Sequence, residues 1–110
     1  MIKKVLIACG GEVGIQLISK FAKSNVRTVA VYTEQDNSAE HVQLADEIIC
    51  IGKTLKSYES DWQRIVSAAE ISDADAIHVG DGPLSTHERF AQACAECGIT
   101  LIRGDAEPPH

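Results

Sequence analysis

Two stretches of the chain gather residue types that do chemistry. The first is CGGEVG at residues 9–14, directly after the apolar run Val5–Ala8. A buried strand feeding a glycine turn and then a helix is how many proteins grip a nucleotide phosphate. With Cys9, Gly11 and Gly14 at the three glycine positions of a dinucleotide fingerprint, Glu34 lies about 20 residues on, where a ribose-binding acid belongs. Two residues oppose that reading. Cys9 replaces the glycine of the tight turn, and Glu12 brings negative charge to the helix end where a pyrophosphate would dock. Cys9 also admits a second reading as a nucleophile, because a thiol near a helix N-terminus can be acidified and His78 or His87 can approach from a neighbouring loop. In a third reading it is a small apolar residue filling the turn.

The second stretch runs from His78 to His87, HVGDGPLSTH. His78 is expected to hydrogen-bond loop backbone and fix its shape, and Asp81 between two glycines is a good turn former. His41 and His87 read as surface or helix-face residues. The candidate ligand-binding positions are therefore Cys9, Gly10, Gly11, Glu12, His78, Gly80, Asp81 and Gly82, with no residue assigned a catalytic or metal-binding role. Cys94 and Cys97 form a C-x-x-C, but a second ligand pair at zinc spacing is missing, and a redox pair opens a helix rather than ending one. Both read as small residues in the last turns of a helix, and Cys50, within EIICIG, as inert strand core.

Composition sets the frame for these residues. A chain of 110 residues suits one domain with a real core. Its net charge of -6, with ten scattered Lys and Arg, argues against a nucleic-acid surface. No apolar run approaches a membrane span, and MIKKVLIAC is too short in its apolar part for a signal peptide. A cytoplasmic protein with reduced thiols is expected.

Strands and helices alternate along the chain. Residues 3–9 read as a buried strand, 26–33 as a second, 46–52 as a third, 75–80 as a fourth and 100–104 as a fifth. Between them, Val13, Leu17, Ile18, Phe21 and Ala22 recur at helical spacing over 11–24, with Asn25 as the stop. A short helix capped by Asn37 or Ser38 follows the second strand. Trp62, Ile65, Val66 and Ala69 line a helix over 61–71, and another helix spans 85–97 before Gly98. This alternation predicts an α/β fold: a three-layer, doubly wound, five-stranded parallel sheet of Rossmann-like type. Sites in such sheets gather at the carboxyl ends of strands, which selects the loops after strands one and four.

Across residues 3–104, VLIACGGEVGIQLI, VRTVAVYTEQDNSAEHVQLADEIICIG, KSY and IVSAAEISDADAIHVGDGPLSTHERFAQACAECGITLI together resemble the N-terminal domain of biotin carboxylases. These are the ATP-dependent ligase subunits or domains of acetyl-CoA, propionyl-CoA and pyruvate carboxylases, the first of which serves fatty acid biosynthesis. The resemblance implies a pre-ATP-grasp fold over 3–104, with 105–110 as a tail. It also implies that ATP, magnesium and biotin are held mainly by domains outside this stretch, so no cofactor is assigned here and the chain is not a carboxylase by itself.

Departures from the family pattern fall in the two loops. The family's Ala-Asn-Arg-Gly-Glu is here Ala8, Cys9, Gly10, Gly11, Glu12. Its His-Pro-Gly-Tyr-Gly-Phe-Leu-Ser becomes His78, Val79, Gly80, Asp81, Gly82, Pro83, Leu84, Ser85. In the family the Tyr-Gly part borders the biotin and bicarbonate pocket, where a negative Asp81 would repel bicarbonate. Arginines of the family's dimer interface correspond to Gln16 and Ser19. Three readings stay open: a stand-alone binding or regulatory module, the N-terminal domain of a split or cut biotin carboxylase, and a small nucleotide-binding or cysteine-based enzyme. The charged, proline-ended tail favours the first. Expected partners are an ATP-grasp domain, a biotin carrier protein or a second copy of the chain, with no nucleic acid or membrane.

Overall fold

Every residue of Val5–Ala8 is buried, and successive side chains leave a strand on opposite faces. Val5 and Ile7 pack with Leu17, Ile18 and Phe21, whereas Leu6 and Ala8 pack with Ile65, Ala69 and Phe90. A strand covered on both sides belongs at the centre of a parallel sheet, and it lies there. A computed structural model describes residues 2–9, 11–36, 43–54 and 57–104. Strands β1 (Lys4–Ile7), β2 (Arg27–Tyr32), β3 (Glu47–Cys50), β4 (Ala76–His78) and β5 (Thr100–Ile102) form one sheet. All neighbours are parallel, in the order β3-β2-β1-β4-β5. Helix α1 (Gly11–Lys23) covers one face, while α2 (Trp62–Ile71) and α3 (Glu88–Glu96) cover the other. The three-layer α/β architecture read from the sequence is the one present.

Polar groups fasten the amino ends of the strands. One Asp75 carboxylate oxygen accepts the backbone N–H of Lys3 at 2.8 Å and of Lys4 at 3.0 Å. The Lys4 ammonium donates to the Ser72 carbonyl and pairs with Glu47 at 2.8 Å. Thr28 and Asp46 exchange bonds between β2 and the approach to β3. Asn25, at φ 60°, ends α1 as expected.

Three expectations need correction. Val13 is 54% exposed, because it stands at the amino-terminal end of the apolar stripe of α1, where the stripe runs past the sheet and lines an open cleft. Cys50 is exposed rather than core: β3 is an edge strand, and only Ile49 and Ile51 reach the core beneath α2. The helix expected to begin at 85 begins at Glu88, since Pro83–Thr86 form a separate 3-10 turn and His87 caps α3. Glu34 opens a 3-10 turn, Glu34–Asp36, directly after β2. The caps Asn37 and Ser38, His41, Gly10 and the tail 105–110 lie outside the described residues. Among the described residues, no helix is long and apolar enough to cross a membrane.

Candidate functional site

β1 is flanked by β2 on one side and β4 on the other, so the connections that follow β1 and β4 run in opposite directions from the point where strand order reverses. A cleft of about 320 Å³ opens there. One wall is α1 with its preceding loop, presenting Cys9, Val13, Gln16, Leu17 and Lys20. Val79, Gly80, Asp81 and Gly82 form the other wall, joined by Gly104 from the end of β5. Main-chain bonds tie this second wall together: Val79 N–H donates to Ile102 O at 3.0 Å, Gly104 N–H to Gly80 O at 2.8 Å, and Gly82 N–H to Val79 O at 3.4 Å.

Four predicted positions, Cys9, Gly80, Asp81 and Gly82, thus share one cleft. Glu12 and Glu34 do not line it: Glu12 is exposed in the first turn of α1, and Glu34 is exposed in its own turn. His78 is fully buried, and its Nδ1 accepts the Gly80 N–H at 3.1 Å, the loop-shaping bond expected of it. His87 sits elsewhere: its Nδ1 accepts the Phe90 N–H at 3.1 Å, and its ring lies 5.6 Å from Trp62.

Cys9 is half-buried, and burial pushes its thiol up from the ordinary 9.0 to about 11. Burial is the cause of that shift, and it keeps Cys9 protonated at neutral pH. Burial, with a smaller contribution from the neighbouring Cys97, likewise pushes the Cys94 thiol up to about 11. Among the described residues no group of three His, Cys, Asp or Glu side chains is placed to hold a metal ion.

Val13, Gln16, Leu17, Lys20, Val79 and Gly104 are site residues that sequence reasoning missed. A signal existed for four of them: positions 13, 16, 17 and 20 form one helical stripe running from the glycine turn. A second hollow of about 310 Å³ lies beside edge strand β3, against Ile49, Ile51, Ala68 and Ile71. Among the described residues it presents no carboxylate or imidazole, and its cation, Arg64, already donates to the carbonyls of Ile51 and Thr54. The cleft between the loops that leave β1 and β4 is where predicted site residues from two loops meet.

Comparison with known proteins bears on what that cleft serves. Residues 1–107 match the family described as biotin carboxylase, N-terminal domain. Biotin carboxylase 1 of Bacillus subtilis is 43% identical over 108 residues, a match covering 97% of this chain and 24% of that protein. The crystal structure of a Campylobacter jejuni biotin carboxylase in a β,γ-ATP complex superposes with a TM-score of 0.84 at 36% identity, covering 92% of this chain and 23% of the other. The biotin carboxylase domain dimer of Hydrogenobacter thermophilus 2-oxoglutarate carboxylase, solved with ADP and bicarbonate, matches with the same TM-score at 40% identity, over 92% and 22% of the two chains. The chain spans about a quarter of the length of these relatives.

Proposed function

Because the chain belongs to the biotin carboxylase N-terminal domain family, we propose that it serves as a non-catalytic docking domain of a biotin-dependent carboxylation system, facing its partner through the β1–β4 cleft. The partner is an ATP-grasp domain, carried on the same or another polypeptide, that holds the nucleotide. The observation that carries this reading is the cleft itself. It brings residues of the loops after β1 and β4 to one open surface, yet its thiol is protonated and its loop imidazole is committed to backbone. ATP with magnesium calls for several cations and metal-binding acids. Among the described residues, no arginine and a single lysine, Lys20, line the cleft, and they do not fit that complex. Asp81 adds a negative charge that disfavours bicarbonate at this wall.

A second reading, a stand-alone module for a small ligand, is favoured by the same residues that depart from the family pattern. Cys9, Gln16 and Asp81 all face one cleft and change its chemistry together. One experiment separates the two. A biotin carboxylase lacking its own first hundred or so residues is mixed with this chain, and biotin-dependent ATP hydrolysis is measured. Thermal shift with ATP, ADP, NAD and biotin is run on the chain alone. Docking predicts restored hydrolysis and no shift at about 1 mM ligand. A shift with a ligand alone, without restored hydrolysis, overturns docking in favour of the stand-alone module.

A further inference from the structure

We infer that His78 is the positioning residue of the cleft, one buried imidazole that sets the relation between its two walls; this deepens the docking reading and rests on it. The ring touches both sides. Toward the β4 wall, Nδ1 accepts the Gly80 N–H at 3.1 Å. Gly80 adopts φ +60°, and its carbonyl in turn accepts the Gly104 N–H at 2.8 Å, so the bond at Nδ1 reaches through Gly80 to the end of β5. Toward the α1 wall, the ring meets Phe21 edge-on, with centroids 5.9 Å apart and planes at 84°. Phe21 and His78 are both fully buried, so neither ring shifts without the other.

Space-filling alone does not explain this geometry. Gly80 N–H is buried, and a buried donor without an acceptor carries the full cost of its lost solvation. Nδ1 accepts only when the imidazole is neutral with its proton on Nε2. Beside the main-chain bonds of this wall, the conformation at Gly80 therefore relies on one lone pair at one ring position, and an apolar residue of equal volume supplies the packing without it.

The test starts on the unsubstituted chain. A nitrogen–nitrogen coupling across the hydrogen bond between the Gly80 amide and His78 Nδ1 is expected by NMR. Two variants then separate the bond from the bulk: His78→Asn keeps an acceptor on the same branch of the side chain, and His78→Phe keeps a ring against Phe21 but no acceptor. His78→Phe speeds amide exchange at Gly80 and Gly104 about tenfold or more, whereas His78→Asn stays within about threefold of the parent chain. In the complementation assay, His78→Phe weakens docking about tenfold and His78→Asn rescues it. Absence of the coupling, or identical behaviour of the two variants, overturns the assignment. If His78→Phe does not fold, the coupling and the His78→Asn exchange rates decide. Coupling and exchange as stated, in a parent chain that fails to complement, leave the positioning role standing and remove the docking reading instead.

Discussion

Iodoacetamide labelling of Cys9 distinguishes a reactive loop from a packed turn, and its size follows from the structure. Burial moves the thiol from 9.0 to about 11, so the thiolate is about 100-fold rarer than in a free cysteine and amounts to about 1 part in 10,000 at pH 7. A thiolate of higher pKa is also a better nucleophile, and a Brønsted slope of about 0.4–0.5 returns roughly a factor of eight over two units. The net expectation is alkylation at least about tenfold slower than N-acetylcysteine at pH 7, before partial burial slows it further. Site-resolved mass spectrometry separates Cys9 from the exposed Cys50 and Cys97. The Cys9 rate should climb about tenfold per pH unit through pH 10 without levelling. A plateau between pH 6 and 9 would mean that the α1 N-terminus prevails over burial, and would refute the reasoning that removes Cys9 as a nucleophile.

Three further expectations concern the scaffold. Gly80→Ala should cost about 1 kcal/mol in urea unfolding: φ +60° costs an L-residue roughly 1–2 kcal/mol, part of which the stiffer unfolded chain returns. Its new Cβ would sit 3.8 Å from Cys9 and Val13, an ordinary contact, so Gly98→Ala, at φ +70° with nothing within 4 Å, should cost the same; a clearly larger loss at Gly80 would reveal a tighter cleft. The Lys3 N–H, helped by that of Lys4 and opposed by burial, holds the Asp75 carboxyl below its usual range. Asp75 therefore adds stability above about pH 4 that is lost as pH falls through its folded-state value. Solvent keeps the effect small, and Asp75→Asn should flatten the acid limb of a plot of urea midpoint against pH. His87→Ala removes the acceptor that caps α3 and should cost about 1 kcal/mol, most of it restored by His87→Ser, as read from urea midpoints.

Much of this molecule is legible in local pattern, and its limits are physical. The unbroken apolar run Val5–Ala8 reads as a central strand because both of its faces need cover. The strand-end rule selects the two loops that do converge. Cys50 misleads because burial in β3 depends on strand order, and nothing within EIICIG says that its strand is outermost. Val13 misleads for a related reason. Helical spacing defines an apolar stripe but not how much of that stripe the sheet covers, and the uncovered end is a wall of the cleft. The late start of α3 reflects Pro83, which begins a tighter turn, and His87, whose ring nitrogen does the work of a capping oxygen.

The sheet order also governs when the site comes into being. β1 pairs with β2 across a single helix, but its other edge waits for β4, where Val5 faces Ala76 and Ile7 faces His78. That seam closes a loop of about 70 residues, whose entropy must be met before its contacts are gained. A ribosome releases β1, α1 and β2 long before it releases β4. Until then the nascent chain shows an open flank along its first strand, and the cleft has only one wall. The β1–β4 seam is thus both the floor of the site and the late, slow closure in folding, so a lesion anywhere from β3 to β4 that delays the seam silences the site without touching it.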